Sequence, residues 1–383
     1  MANNVSSAQA TRIIFFLAGF ITATWAVIVP FARANTGANE AQLGTLLLCL
    51  GVGALIAMPV TGWLTSRFGC RRVILVAVAL IVISTPWLAV LSDPLLLALA
   101  LLVFGIGIGV TDCAMNIQAI LVEKQAAKPV MSGFHGMYSV GGIAGAGFMT
   151  LILAMGFSVL TGCLLAVAAV IIMTLVSVSG LLTYANPAEG PVFAVPRGSV
   201  LIIGIICFAV FLTEGTVLDW SAVYLTDVRA IPVSLGGLGY TCFAVAMTVA
   251  RLTGDRIISS LGRLPVVLGG ALVAAAGMAM VTFIAFWPLA LLGYTLVGAG
   301  CANIVPVMFS AAGRQTVMPQ AVAIPAITTL GYLGVLSGPA VIGYVAHYTH
   351  LGFSFSLIMA LMLVVGAVSL TLNLGHNTAK ENR

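Results

Sequence analysis

Long apolar stretches, separated by short clusters of Gly, Pro and polar residues, run along the whole chain. A helix needs about 20 apolar residues to cross a bilayer's hydrocarbon core. Read against their punctuation, the stretches predict twelve spans, near 12–34, 41–64, 72–91, 95–122, 130–155, 158–182, 199–226, 234–258, 265–285, 288–313, 321–347 and 352–374. The runs are long and continuous rather than short and alternating, which disfavours a barrel of strands. The longest hydrophilic connection, 183–198, lies near the middle and reads as a linker between residues 1–182 and 199–383. The first run outlasts the core of a secretory signal, lacks a small-residue cleavage site and carries Trp25 and Pro30, so it reads as a span.

Composition makes lipid the solvent. Of 383 residues, 61% are hydrophobic and only 7% charged, whereas a soluble domain is about 45–50% apolar and about 25% charged. Mean hydropathy is +1.18. The net charge of +5 is scattered, so it makes no nucleic-acid-binding patch. The seven cysteines are dispersed, without CxxC or metal-ligand spacing, and read as packing residues.

Charge also orients the spans. With a cytoplasmic N-terminus, the cytoplasmic segments receive Arg12, Arg67, Arg71, Arg72, Lys124, Lys128, Arg197, Arg256, Arg263, Arg314, Lys380 and Arg383; the outer ones receive Arg33 and Arg229. That bias of 12 to 2 follows the positive-inside rule and places both termini in the cytoplasm.

A constant shift of 193 residues superposes the halves: Gly44 on Gly237, Cys49 on Cys242, Gly69 on Gly262, Gly105 and Gly107 on Gly298 and Gly300, Gly141 and Gly145 on Gly334 and Gly338. Span order is preserved, so the expectation is an all-α membrane protein of two six-helix bundles in parallel repeat. Transporters of this kind bind substrate between the repeats near the bilayer midplane.

The turn after the second span reads Gly62-Trp-Leu-Thr-Ser66-Arg67-Phe-Gly69-Cys-Arg71-Arg72. It resembles the G-x-L-x-D-R-x-G-R-R/K signature of the major facilitator superfamily, departing at Ser66, where the signature has an acid. A degenerate second copy, Gly254-Asp255-Arg256 followed by Gly262-Arg263, keeps an acid at Asp255. The strings DCAMNIQAILVE (112–123), FHGMYSVGGIAGA (134–146) and EGTVLDWSAVYL (214–225) look like a bacterial inner-membrane branch near the fucose-permease-like sugar symporters. The resemblance covers nearly the whole chain. It implies a cavity lined by spans 1, 4, 7 and 10, and a gating role for Arg67, Gly69 and Arg71 in the first turn and for Arg251, Asp255 and Arg256 in the second.

Ionisable groups inside a span are costly and so mark function. Asp112 and Asn116 share a face of the fourth span, with Glu123 at its cytoplasmic end. Glu214 lies midway along the seventh span and leads as a titrating acid; Asp219 and Trp220 lie nearer its outer end. Asn303, Thr22 and Trp25 complete the expected lining. His135, early in the fifth span, is a candidate proton relay, against an imidazole that merely donates to a carbonyl. Arg251 and Asp255, four apart, can pair along their helix or form a cytoplasmic gate. His347, His350 and His376 occupy no facing mid-membrane positions, which argues against a haem.

These residues point to a secondary transporter of a small solute in a bacterial inner membrane, working by alternating access as a monomer, with the proton as coupling ion and no cofactor. No P-loop occurs, so this chain holds no such ATPase. Export of a drug or metabolite, and a non-transporting sensor on the same scaffold, stay open. A membrane enzyme would need a catalytic constellation, and none appears.

Overall fold

The computed structural model describes residues 5–38, 40–186, 195–232 and 235–374. Lys380, Arg383, His376, the middle of the linker and the first residue of the eighth expected span lie outside them. Among the described residues the regular structure is helical, with no strand.

The helices are α1 (Ser7–Thr36), α2 (Glu40–Val90), α3 (Pro94–Ala126), α4 (Met131–Ala154), α5 (Val159–Ser177), α6 (Ser199–Val223), α7 (Leu238–Leu261), α8 (Arg263–Phe283), α9 (Trp287–Cys301), α10 (Ile304–Ala312), α11 (Gln320–Tyr348) and α12 (Leu351–Ser369). Local chemistry sets several ends. Ser6 accepts from Gln9 N while the Gln9 side chain accepts from Ser6 N, a reciprocal cap on α1. Ser158 caps α5 through Thr161 N at 3.1 Å.

Ten helical segments are long and apolar enough to cross a bilayer. Three expected boundaries differ in form. The second and third spans are joined without a loop: α2 runs through the motif and bends at Gly69, whose φ of 79° only glycine adopts easily. The seventh span ends in a π-helical turn, Tyr224–Val228. The tenth span breaks at Ala302–Asn303 into α9 and α10.

The chain divides into two compact units. The first comprises Met1–Gln125, Met137–Val195 and Pro319–Ala326; the second comprises Ala126–Gly136, Pro196–Met318 and Ile327–Arg383. In the first unit, α2 and α3 approach so closely that a methyl on Gly105 would strike the carbonyl of Leu50. In the second, a methyl on Gly298 would strike the carbonyl of Phe243 on α7. Both partners of the first contact map onto both partners of the second by the same 193-residue shift. Gly262 repeats the bend of Gly69 with φ 87°. Small residues let apolar helices gain close packing where burial from lipid offers little drive.

Candidate functional site

The second unit contains a buried polar cluster, and its starting point is a proline. Pro306, in the first turn of α10, has no N–H to offer the carbonyl four residues back, that of Ala302. That carbonyl is taken instead by Arg251 Nε of α7, at 3.2 Å. The same guanidinium reaches α6, where Nη2 meets Glu214 Oε1 at 3.0 Å; the side chains are 7% and 18% exposed respectively. A buried arginine requires such a partner, because an uncompensated charge away from water costs several kcal/mol.

One turn along, Asn303 at the helix break donates from Nδ2 to Ala250 O at 3.1 Å. Its Oδ1 lies against the Ser132 hydroxyl, which is also 3.0 Å from Arg251 O. Gly254 makes room for this meeting, since a Cβ there would collide with both Asn303 Oδ1 and Ser132 Oγ.

Asp255 completes the cluster. Its Oδ1 accepts from Ser132 N and its Oδ2 from Gly133 N, each at 3.0 Å. These amides open α4, where a helix has donors without intrahelical partners and favours negative charge. His135 follows within the same turn, 9% exposed, its ring centroid 5.8 Å from that of Phe309 on α10. Thus Glu214, Arg251, Asn303, Asp255 and His135, expected on four separate spans, fall in one unit. Arg251 is held by α6, while Asp255 caps α4.

Sequence reasoning missed two members. Ser132 and Gly254 are small residues whose role exists only through their neighbours.

The first unit holds Thr22, Trp25, Asp112 and Asn116. Asp112 is half-buried, and among the described residues no hydrogen bond or ion pair reaches its carboxylate. Asn116 donates to the Asp112 carbonyl at 2.9 Å, leaving its own buried Oδ1 without a partner. Trp25 packs on Phe104 of α3, ring centroids 6.3 Å apart. Thr22 donates to Ala18 O of its own helix at 2.8 Å.

The first-half motif is tied to the chain that leaves α5. Arg71 donates from Nε to Leu181 O at 3.1 Å and from Nη2 to Ser179 O at 2.9 Å. Ser66 donates to Asn186 O at 2.7 Å, and Gly69 packs against the Thr183 carbonyl. Arg67 is exposed over the rings of Trp63 and Phe68. In the second unit Arg256 and Asp219 are exposed. Trp220 packs its ring beside Gly343 of α11 and keeps its buried Nε1 without a hydrogen-bond partner.

Comparison with known proteins bears on this arrangement. The sequence model of the Major Facilitator Superfamily matches residues 12–314. An uncharacterised transporter of that type from Yersinia pestis is 48% identical over 364 residues, covering 95% of both chains. An uncharacterised transporter from Sinorhizobium fredii is 34% identical over 370 residues, covering 92% of this chain and 96% of the relative. Among solved structures, the Escherichia coli fucose:proton symporter FucP superposes with a TM-score of 0.76 at 15% identity, covering 95% of this chain and 98% of that one.

Proposed function

This chain belongs to the major facilitator superfamily, a membrane transport protein rather than an enzyme, and from that premise we propose that it is a proton-coupled secondary transporter of a small solute, working by alternating access. The observation that carries the proposal is the buried Glu214–Arg251 pair, 3.0 Å long, attached to a broken helix and one turn from the Asp255 cap on α4. The proton coupling of FucP supports the choice of ion.

Twelve spans are our reading of the helices. Ten segments qualify by length and apolarity; α2, bent at Gly69, is counted as two; and α7, a 24-residue helix made less apolar by Arg251, Asp255 and Arg256, is counted as one more. The paired contacts at Gly105 and Gly298 favour a parallel repeat of six spans, with both termini cytoplasmic in a bacterial inner membrane.

The coupling works through charge balance. Ionised, Glu214 neutralises the guanidinium. Protonated, it no longer offsets the charge of Arg251, which then favours another anion, water or the solute. Arg251 moves with the backbone turn that carries Asp255 and contacts Ser132, so proton occupancy biases the hold on α4. Asp112, with its unpaired carboxylate, and Asn116, with its unpaired Oδ1, offer acceptors to hydroxyl or ammonium groups of a solute.

A thermal-shift screen of sugars, acids and drugs at two pH values supplies the solute. Glu214→Gln in liposomes with an internal pH dye should then retain solute exchange and lose solute-driven proton flux. Wild-type flux in that variant would sink the proposal.

A further inference from the structure

Each compact unit takes in the start of a helix whose remainder belongs to the other. Ala126–Gly136, which leads into α4, belongs to the second unit, and Pro319–Ala326, the start of α11, to the first. The 193-residue shift places these segments on one another, yet their contacts differ in chemistry. At α4 the Asp255 carboxylate takes the amides of Ser132 and Gly133. The same shift puts Gly62 at the position of Asp255 and Pro325 at that of Ser132. Gly62 has no side chain to accept a bond, and Pro325 has no N–H to donate. Pro325 also withholds its bond from the carbonyl four residues back, that of Ala321. Gly62 lies so near that a methyl on it would strike both this carbonyl and Pro325 Cγ. An acid in place of Gly62 would meet a carbonyl oxygen, so the start of α11 rests on α2 by shape.

Its polar hold comes from the segment that leaves α5. Residues 179–186 cross the bend at Gly69 as a strap. Arg71 N donates to Leu182 O at 2.7 Å and Cys70 N to Tyr184 O at 3.5 Å, while Leu182 N donates to Gln118 Oε1 of α3 at 3.1 Å. The strap reaches α11 at Asn186. The Asn186 carbonyl lies 2.7 Å from Ser66 Oγ, a hydroxyl that is also 2.8 Å from Gly62 O. Asn186 Nδ2 donates to Oε1 of Gln320, the first residue of α11. A hydroxyl can donate to a carbonyl, whereas an ionised acid only accepts. Ser66, standing where the resembled signature has an acid, therefore suits the strap.

We propose that Asn186 is a positioning residue: through it the segment between the repeats holds the start of α11 on α2 with neutral hydrogen bonds, where Asp255 holds the start of α4 with charge. The connection between the halves is thus more than a tether. The two helix starts answer to different events, loss of charge at Asp255 for α4 and withdrawal of the strap for α11. The assignment depends neither on the Glu214–Arg251 mechanism nor on the solute.

The test is hydrogen exchange on the full chain in dodecyl maltoside, read separately at amides 320–326 and 130–136. Asn186→Ala should accelerate exchange at 320–326 about fivefold and leave 130–136 unchanged, which also shows that the fold is intact. Asp255→Asn should do the reverse. In a Gln320→Ala chain, Asn186→Ala should add nothing further, because the bond it removes is already gone; a general loosening of the linker would not produce this. Unchanged exchange at 320–326 in Asn186→Ala, acceleration that spreads equally to 130–136, or an undiminished effect of Asn186→Ala in the Gln320→Ala chain overturns the proposal.

Discussion

Asp255 makes two hydrogen bonds with one carboxylate, to the amides of Ser132 and Gly133. An asparagine can accept only one of them and turns an NH₂ toward the other. Asp255→Asn should therefore expose the first turn of α4, and hydrogen exchange at the amides of 132 and 133 should accelerate about tenfold, the equivalent of about 1.4 kcal/mol. Unchanged exchange there would show that the carboxylate does not hold the turn. Gly254→Ala attacks the same junction sterically, and should lower stability by about 1–3 kcal/mol in chemical unfolding; a neutral result would mean that Asn303 and Ser132 can part freely. At this scale the sequence was partly legible. Glu214, Arg251 and Asp255 stand out as charges in apolar runs. Their partners did not, because helical spacing allows Arg251 to reach Asp255, whereas the choice of Glu214 depends on how α6 packs on α7. Ser132 and Gly254 carried no signal of their own.

The break between α9 and α10 belongs to the element scale. Pro306 withholds one backbone bond from Ala302, and Arg251 supplies the substitute. Pro306→Ala restores the missing donor, so the tenth span should straighten across Ala302–Asn303. The new backbone bond is worth about 1 kcal/mol, and thermal stability should rise while coupled transport falls, because Ala302 O no longer turns toward Arg251. A fall in melting temperature would show that packing, not the proline, dictates the break. The ten helical segments long and apolar enough to cross a bilayer were readable from apolar run length. Their interruptions were less so. Gly69 marks a bend inside one helix rather than a loop, because a single residue at φ 79° redirects the chain and leaves its neighbours helical. The π-helical turn at Tyr224–Val228 had no counterpart in the apolar pattern, since it depends on Arg229 N reaching back to Tyr224 O at 3.2 Å.

For the whole molecule, the strongest sequence signals were the repeat and the charge bias, both of which integrate over many residues and so tolerate local error. The repeat reappears as paired contacts, Gly105 with Leu50 and Gly298 with Phe243. The charge bias leaves two exceptions, Arg33 and Arg229, and both are engaged with carbonyls where helices end: Arg33 Nε with Ala38 O at 3.2 Å, and Arg229 with the end of α8. Arginines so fixed serve helix ends and do not weaken the rule, which acts on solvated charge in short loops. The topology can then be tested directly. A cysteine appended after Arg383 should react with a membrane-impermeant maleimide only after the cells are permeabilised. The background is controllable, because Cys70, Cys113, Cys163, Cys207 and Cys301 are buried and only Cys49 and Cys242 are partly exposed, so the appended cysteine is placed in a Cys49→Ser/Cys242→Ser chain. A second cysteine replacing Asp227, exposed beside Arg229, should show the opposite pattern and label in intact cells. Labelling of the C-terminal cysteine from outside, with Asp227→Cys protected, would invert the topology. Labelling of both positions from outside would remove the even span count on which the parallel repeat and the cytoplasmic placement of Asp255 depend.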